Sequence, residues 1–212
     1  YKRWTQDEER QLIKDDYSWF LPVYDGYMDA PAFESGHHHG NIKKCDAARY
    51  FYLHKFGGIY ADVDFECLKP FDDIVTGFDF AVGMRGDDEN NPGCYQNSLM
   101  MCQPAAPFLE KVFELLEERR DADQVVDATG PTLLWQAVKE NPDLRKVFDW
   151  PYFYPLDWAA ENDRGHDSDE RRNALKHGEV TDHEEIKEKY PDAYAVTYWT
   201  CSWMGQRHMY HY

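Results

Sequence analysis

The chain has 212 residues, of which 42% are hydrophobic and 16% are aromatic. This length and apolar content predict one folded domain with a sizeable core and exclude a largely disordered chain. Lys and Arg total 23 against 40 Asp and Glu, which gives a formal net charge of −17 and argues against nucleic acid or a membrane surface as the main partner. No stretch approaches the roughly 18 consecutive apolar residues of a membrane span, so we expect any membrane anchor to lie outside this sequence.

Apolar spacing and turn residues predict helices alternating with strands. In chain order the predicted elements are a polar helix within 1–17, a helix at 41–56, short strands at 59–63 and 65–68, a strand at 78–84, a polar loop at 85–93, a strand at 98–102, helices at 107–119 and 131–139, a charged loop and solvated helix within 162–189, and a strand at 193–199. This alternation predicts an α/β domain whose mixed, mainly parallel sheet is flanked by helices.

The helix at 41–56 is the best-defined predicted element. Apolar residues recur there at helical spacing, Asn41 is a suitable N-terminal cap, and Gly57-Gly58 is a suitable stop because glycine adopts left-handed backbone without strain. A strand follows directly after this stop, so the sequence predicts a tight reversal between a helix and a strand.

Two carboxylates, Asp62 and Asp64, stand two residues apart where the predicted strand at 59–63 ends. Such a pair can converge on one hard divalent cation, which an acidic protein would need in order to hold a diphosphate. The alternative is an acidic pair that simply faces water, and an isolated D-x-D favours that alternative. The neighbouring residues decide between the two interpretations.

The stretch from Lys44 to Asp64 resembles the sugar-binding region of the D-x-D glycosyltransferases, the family that includes the initiation-specific α-1,6-mannosyltransferase and the inositol phosphorylceramide mannosyltransferases of yeast. The matching residues are Asp46, Arg49, Gly57, Gly58, Tyr60, Asp62 and Asp64. The resemblance implies a single catalytic domain over 1–212 with a GT-A-type nucleotide-diphospho-sugar transferase fold. It also implies that the first strand of that fold lies upstream of residue 1.

The resemblance implies donor-binding roles for four of these positions. Asp46 would hydrogen-bond sugar hydroxyls, and Arg49, one helical turn further on, would pair with phosphate or sugar oxygens; the alternative for both is a surface ion pair. Gly58 would let the chain reverse tightly after the helix. Tyr60 would either stack near the nucleotide or fill the core, and the sequence does not choose between them.

The resemblance also implies a metal site at the D-x-D carboxylates, with further contacts from residues near the C-terminus. Asp64 would contact Mn²⁺ or Mg²⁺ directly, and Asp62 would bind the metal or the ribose. Relatives commonly carry a histidine where this chain has Thr197, so either Ser202 or water would complete the coordination, or the affinity for the metal would be reduced. Trp203 would cover the diphosphate; its alternative is an aromatic packed at the end of the domain.

We therefore expect a retaining, metal-dependent glycosyltransferase with Asp62, Asp64 and Arg49 as its catalytic residues. It would move a hexose, mannose foremost, from a GDP- or UDP-sugar to a hydroxyl of a glycan or glycolipid. Asn97 and Arg85 are candidates for the acceptor side. The resemblance places such an enzyme in the Golgi if the source is eukaryotic, or in the cytoplasm if it is bacterial or viral. The alternative is a domain of the same fold that binds sugar or metal without turnover.

Overall fold

The computed structural model describes residues 1–27, 39–157 and 183–199, and the fold is given for these ranges. Its helices are α1 (Gln6–Asp16), α2 (Leu21–Gly26), α3 (His39–Phe56), α4 (Pro107–Glu118), α5 (Val125–Ala128), α6 (Pro131–Glu140) and α7 (His183–Lys189). Its strands are β1 (Gly58–Ala61), β2 (Phe65–Cys67), β3 (Phe80–Met84), β4 (Tyr95–Cys102), β5 (Lys146–Phe148) and β6 (Ala195–Thr197). The predicted α/β class is confirmed.

Four strands form one sheet in the order β1-β4-β3-β5, and β2 pairs with β6 in a separate two-stranded ladder. The sheet is mixed, as expected, because β3 runs parallel to β5 and antiparallel to β4. Its described pairings are more antiparallel than the sequence indicated, since β1 also runs antiparallel to β4. For β3 and β4 the physical reason is their connection, a loop without a helix, which returns the chain in the opposite direction.

The strand directions place several strand ends at one edge of the sheet. Because β1 and β3 are both antiparallel to β4, and β5 is parallel to β3, the carboxyl ends of β1, β3 and β5 meet the start of β4. The backbone N–H of Asp62, just after β1, donates to the carbonyl of Ser98 in β4 at 2.8 Å. In open α/β sheets this edge is where ligands bind.

Helix α3 and strand β1 form the reversal that the sequence predicts. Gly57 has φ of +65°, and a Cβ at this position would lie 2.7 Å from the Pro104 side chain, so both conformation and space require glycine. Helix α3 begins at His39, so Asn41 lies inside it and is not its cap. The side chain of Asn41 instead accepts a hydrogen bond from Gln6 of α1.

The two faces of the sheet pack against different elements. Phe80 and Val82 of β3 face the larger core, which the helices α1, α3, α4 and α6 cover. Ala81, between them, faces a second core together with Phe153 and Ala195. Because successive side chains of β3 point to opposite faces, one face of the sheet packs against the helices and the other packs against the β2–β6 ladder.

Two other observations concern the described ranges only. None of the helices there is both long and apolar enough to cross a membrane. The four cysteines that fall within them are free thiols rather than disulfide partners.

Candidate functional site

Arg49 lies at the centre of a cluster of polar side chains at this edge of the sheet. Its side chain is 8% exposed. Nη2 lies 2.7 Å from Oδ1 of Asp46, Nη1 lies 3.4 Å from Oδ1 of Asp62, and Nη1 also donates to the carbonyl of Asn97 at 2.9 Å. One guanidinium thus joins α3, β4 and the turn after β1.

The electrostatic surroundings keep Arg49 charged. Burial by itself would lower the pKa of this guanidinium, but Tyr60, Asp62 and Asp46 outweigh burial and hold the pKa well above its ordinary value. The Tyr60 ring lies 4.6 Å from the guanidinium carbon, which is a cation–π distance. Nε of Arg49 is buried and has no hydrogen-bond partner. The alternative of an exposed surface ion pair is therefore wrong for Asp46 and Arg49.

Asp46 is buried behind Arg49, with its side chain 9% exposed. Burial raises the pKa of its carboxyl to about 6, although Arg49 and hydrogen bonds from Thr129 and Asn97 favour the ionised form. The Thr129 hydroxyl lies 3.4 Å from Oδ2 of Asp46, the oxygen that Arg49 leaves unused. The carboxylate is consequently held at both oxygens.

Tyr60 and Asp62 form the side of the cluster nearest solvent. The Tyr60 hydroxyl donates to Oδ1 of Asp62, and its ring packs against Tyr52. Tyr60 therefore supports Arg49 and Asp62. The sequence had left open whether this residue stacks near the nucleotide or fills the core, and the observed role lies between these alternatives. The Asp62 side chain is 35% exposed, and burial, reinforced by Asp64, raises its pKa in spite of Arg49 and Tyr60.

The turn after β1 carries the two motif carboxylates. The N–H of Phe65 donates to the carbonyl of Asp62 at 3.1 Å, and Val63 between the carboxylates is 91% exposed. The carbonyl of Asp64 accepts from the N–H of Tyr198, so the β2–β6 ladder holds the far side of this turn. The turn therefore presents Asp62 and Asp64 at a partly open surface.

This donor set fits a hard divalent cation. Two carboxylates on an open turn suit Mg²⁺ or Mn²⁺, which accept one or two protein carboxylates and complete their coordination with substrate phosphates and water. Both contacts of Asp62 with Arg49 and Tyr60 use Oδ1. Within the described ranges no group of three or more His, Cys, Asp or Glu side chains is placed to hold a metal.

Thr197 lies beside this turn but faces the interior. It pairs with Phe65 across the β2–β6 ladder and is 2% exposed. Its hydroxyl accepts a hydrogen bond from the backbone N–H of Trp199 at 3.2 Å. The structure thus favours the interpretation of Thr197 as a buried strand residue. Ser202 and Trp203 lie outside the described residues.

The two acceptor-side candidates lie at the same edge in different surroundings. Asn97 is buried in the cluster, where its carbonyl binds Arg49 and its amide lies 3.5 Å from the Thr129 carbonyl. Arg85 follows β3, two strands along the sheet from β1, and lies 3.7 Å from Asp157. Gly58 begins β1 with φ of +99°. The acceptor-side roles of Asn97 and Arg85, and the donor-side role of Gly58, stay predictions.

Two residues of the cluster were absent from the sequence-based site. Thr129 and Tyr50 are fully buried, and the Tyr50 hydroxyl donates to the Thr129 carbonyl at 3.0 Å. The sequence signal at Thr129 was the segment Thr129-Gly130-Pro131, which indicates a helix start and belongs to the weaker part of the resemblance to the family. Sequence spacing could not reveal the contact between Thr129 and Asp46, because 83 positions separate them.

Comparisons with known proteins give the class that this site belongs to. Residues 1–81 match the family described as the glycosyltransferase sugar-binding region containing the DXD motif. All seven motif positions, from Asp46 to Asp64, lie within that match. The chain therefore carries the sugar-binding region of the DXD glycosyltransferases, and the resemblance that its sequence indicated is confirmed.

Individual relatives narrow the similarity further. Inositol phosphoceramide mannosyltransferase 1 of Schizosaccharomyces pombe is 32% identical over 115 residues, which are 54% of this chain and 31% of that protein. Inositol phosphoceramide mannosyltransferase 3 of the same organism is 30% identical over 151 residues, 68% of this chain and 38% of that protein. Among solved structures, the PaToxG glycosyltransferase matches with a TM-score of 0.45 and 17% identity, over 88% of this chain and 67% of that one. The chain thus spans about a third of the length of these two curated relatives.

Proposed function

We propose that this protein is a metal-dependent glycosyltransferase with a GT-A-type fold, which moves a hexose from a nucleotide-diphosphate sugar to an acceptor hydroxyl. The observation that carries the proposal is the buried Arg49, which joins Asp46 of α3 to Asp62 of the D-x-D turn. A buried charge is costly unless it is paired, and here the pairing assembles the residues of the sugar-binding motif at one point. That point lies at the carboxyl edge of the sheet.

Different residues of the chain would bind different parts of the donor. Asp46, held at both oxygens, would accept hydrogen bonds from the hexose hydroxyls. Arg49, kept charged by its neighbours, would direct its planar fork toward sugar or phosphate oxygens. Its buried Nε, which has no partner, supplies a further donor at this position. Tyr60 would hold both Arg49 and Asp62 in place.

Asp64 and Asp62 would hold Mn²⁺ or Mg²⁺ on the D-x-D turn. The ion would offset the negative charge that develops on the diphosphate leaving group. Asp64 is proposed as the direct ligand, because Oδ1 of Asp62 is already engaged by Arg49 and Tyr60. A protein of net charge −17 needs such local positive charge to bind a diphosphate.

Mannose as the sugar and a glycolipid as the acceptor are supported by the names of the relatives, which are inositol phosphoceramide mannosyltransferases. GDP-mannose is therefore the first donor to test, with UDP-sugars as the alternative. Retention of configuration, Golgi residence and contact with a membrane through an anchor outside this sequence stay predictions, and no protein nucleophile is assigned.

A panel of nucleotide sugars tests the proposal. The protein is incubated with GDP-mannose, UDP-glucose, UDP-galactose or UDP-N-acetylglucosamine and Mn²⁺, and the released nucleotide is measured. We expect slow release, fastest from GDP-mannose, because water can replace the acceptor. Tight binding of one donor without any release would instead support a non-catalytic sugar-binding domain. Failure to bind any donor would contradict both functions.

A further inference from the structure

The cluster behind Asp46 contains a buried threonine to which the D-x-D motif gives no role. Thr129 follows α5, and no part of it is exposed to solvent. Its hydroxyl lies 3.4 Å from Oδ2 of Asp46 and 3.3 Å from the carbonyl of Val125. A hydroxyl has one proton to donate, so the two acceptors compete for it. An ionised carboxylate is the stronger acceptor.

Three hydrogen bonds hold the backbone of Thr129 in place. Its N–H donates to the Val125 carbonyl at 3.0 Å, and its own carbonyl accepts from the Tyr50 hydroxyl at 3.0 Å. The Asn97 amide lies 3.5 Å from the same carbonyl. Gly130 keeps the chain close to α5, since a Cβ there would lie 2.8 Å from Cα of Val126. The hydroxyl therefore has a defined position before any ligand binds.

The carboxylate of Asp46 depends on this hydroxyl because its two oxygens have different partners. Arg49 lies 2.7 Å from Oδ1, and the Thr129 hydroxyl donates to Oδ2 at 3.4 Å. Without Thr129 the carboxylate would keep Arg49 and the Asn97 side chain as partners but would lose its hydroxyl donor at Oδ2, and it could rotate more freely about its χ2 bond, which has a broad energy profile. A buried carboxylate oxygen would also lose a donor that cannot easily be replaced by water.

We propose that Thr129 is a positioning residue that orients the Asp46 carboxylate for the hydroxyls of the donor hexose. The inference rests on the proposed function, in which Asp46 binds the sugar. It assigns recognition of the hexose partly to the junction of α5 and α6, which lies outside the D-x-D region. Thr129 would act on the sugar and leave binding of the nucleotide unchanged, since Asp46 is not assigned to the nucleotide.

The test distinguishes an effect on binding of the sugar from an effect on binding of the nucleotide. Calorimetry with Mn²⁺ measures binding of GDP-mannose and of GDP to the unaltered protein and to the variants Thr129→Val and Thr129→Ser. We expect Thr129→Val to weaken GDP-mannose binding roughly tenfold, the usual effect of one lost hydrogen bond to a charged group, and to change GDP binding less than about twofold. Thr129→Ser keeps the hydroxyl and should bind both ligands as the unaltered protein does.

A double-variant comparison tests whether Thr129 acts through Asp46. Adding Thr129→Val to Asp46→Asn should weaken GDP-mannose binding no further than Asp46→Asn alone, because residues that act together are not additive. Thermal melts accompany every variant, and Thr129→Ala replaces Thr129→Val if the valine variant does not fold.

Three results would overturn the inference. Unchanged GDP-mannose binding in Thr129→Val would contradict it and leave the proposed function standing. Equal losses for GDP-mannose and GDP would show that Thr129 supports only the fold. Absence of binding of any donor of the panel to the unaltered protein would overturn the proposed function, and the inference with it.

Discussion

Arg49 shows how one buried side chain can organise a site. Its guanidinium binds Asp46, Asp62 and the carbonyl of Asn97, and its carbon lies 4.6 Å from the Tyr60 ring. Only a planar group with several fixed donors can satisfy partners in these directions together. Lysine would keep the charge and lose the geometry.

We predict that Arg49→Lys lowers nucleotide release from the donor at least about tenfold, because a single ammonium cannot replace the fork. The rate is measured at saturating Mn²⁺ beside a thermal melt. The matched control is Arg10→Lys, which alters an exposed pair whose Arg10 Nη2 lies 2.6 Å from Asp25, and it should leave the rate unchanged. An unchanged rate of nucleotide release in Arg49→Lys would mean that Arg49 has only a structural role.

Glu9 is a buried acid outside the proposed chemistry. It is 7% exposed, and the Tyr24 hydroxyl donates to it at 3.4 Å. Burial raises the pKa of Glu9 from 4.5 to about 7. The folded protein therefore binds this proton more tightly than the unfolded chain does, and ionising Glu9 destabilises the fold as the pH rises from 4.5 to about 7.

We predict that Glu9→Gln removes this loss of stability. Relative to the unaltered protein, the variant should gain little at about pH 5 and up to about 3 kcal/mol at about pH 8. Urea unfolding at both pH values measures the difference. Glu118→Gln, a change at an exposed position of α4, should show no such growth with pH. A gain of equal size at both pH values would mean that Glu9 does not titrate in this range.

The junction of α3, Gly57 and β1 was the most predictable part of the fold. Helical spacing, a glycine pair and a short strand all lie within about 20 residues, so local sequence determines their conformation. Strands β2 and β5 have three residues each, too few for a periodic pattern. The first was predicted from its turn residues, and β5 was missed. Helix α2, with six residues, was missed for the same reason.

Position 197 lies within the β2–β6 ladder, and its packing there limits which side chains it can accommodate. Thr197 pairs with Phe65 and is buried, although it lies beside the turn that carries Asp64. An imidazole there would have to displace packed neighbours. The sequence suggested a metal neighbour at this position because relatives carry a histidine, and burial gives the physical reason to expect otherwise.

We predict that Thr197→His destabilises the protein by about 1–3 kcal/mol through overpacking and leaves the Mn²⁺ concentration for half-maximal nucleotide release unchanged. A thermal melt and a metal titration of activity check the two parts. Thr197→Val, which preserves the volume, is the control for loss of the hydroxyl. A lower Mn²⁺ requirement with an unchanged melt would place position 197 in the metal site.

In the molecule as a whole, the strand order brings together residues that are remote in sequence. Arg49 binds the carbonyl of Asn97, 48 positions away, and Thr129 reaches Asp46 across 83. The sequence predicted the motif and the class of fold, because both depend on local patterns. It could not predict these partners, because they depend on which strands become neighbours in the sheet and on how α3 packs against α5.

The same strand order explains why the motif carboxylates and the helix residues form one site. Strand β1 ends at the sheet edge, so the turn after it brings Asp62 to Arg49 and places Asp64, the proposed metal ligand, at a partly open surface. Because Asp64 is the proposed direct ligand, a substitution at this position tests the metal site most directly.

The most direct test is therefore nucleotide release from GDP-mannose as Mn²⁺ is titrated, for the unaltered protein, Asp64→Asn and the control Asp143→Asn, whose position is exposed in the turn after α6. We predict release that requires Mn²⁺, falls at least about a hundredfold in Asp64→Asn with an unchanged melting temperature, and is normal in Asp143→Asn. Release by Asp64→Asn close to that of the unaltered protein, or release by the unaltered protein that persists after chelation of the metal, would contradict the account.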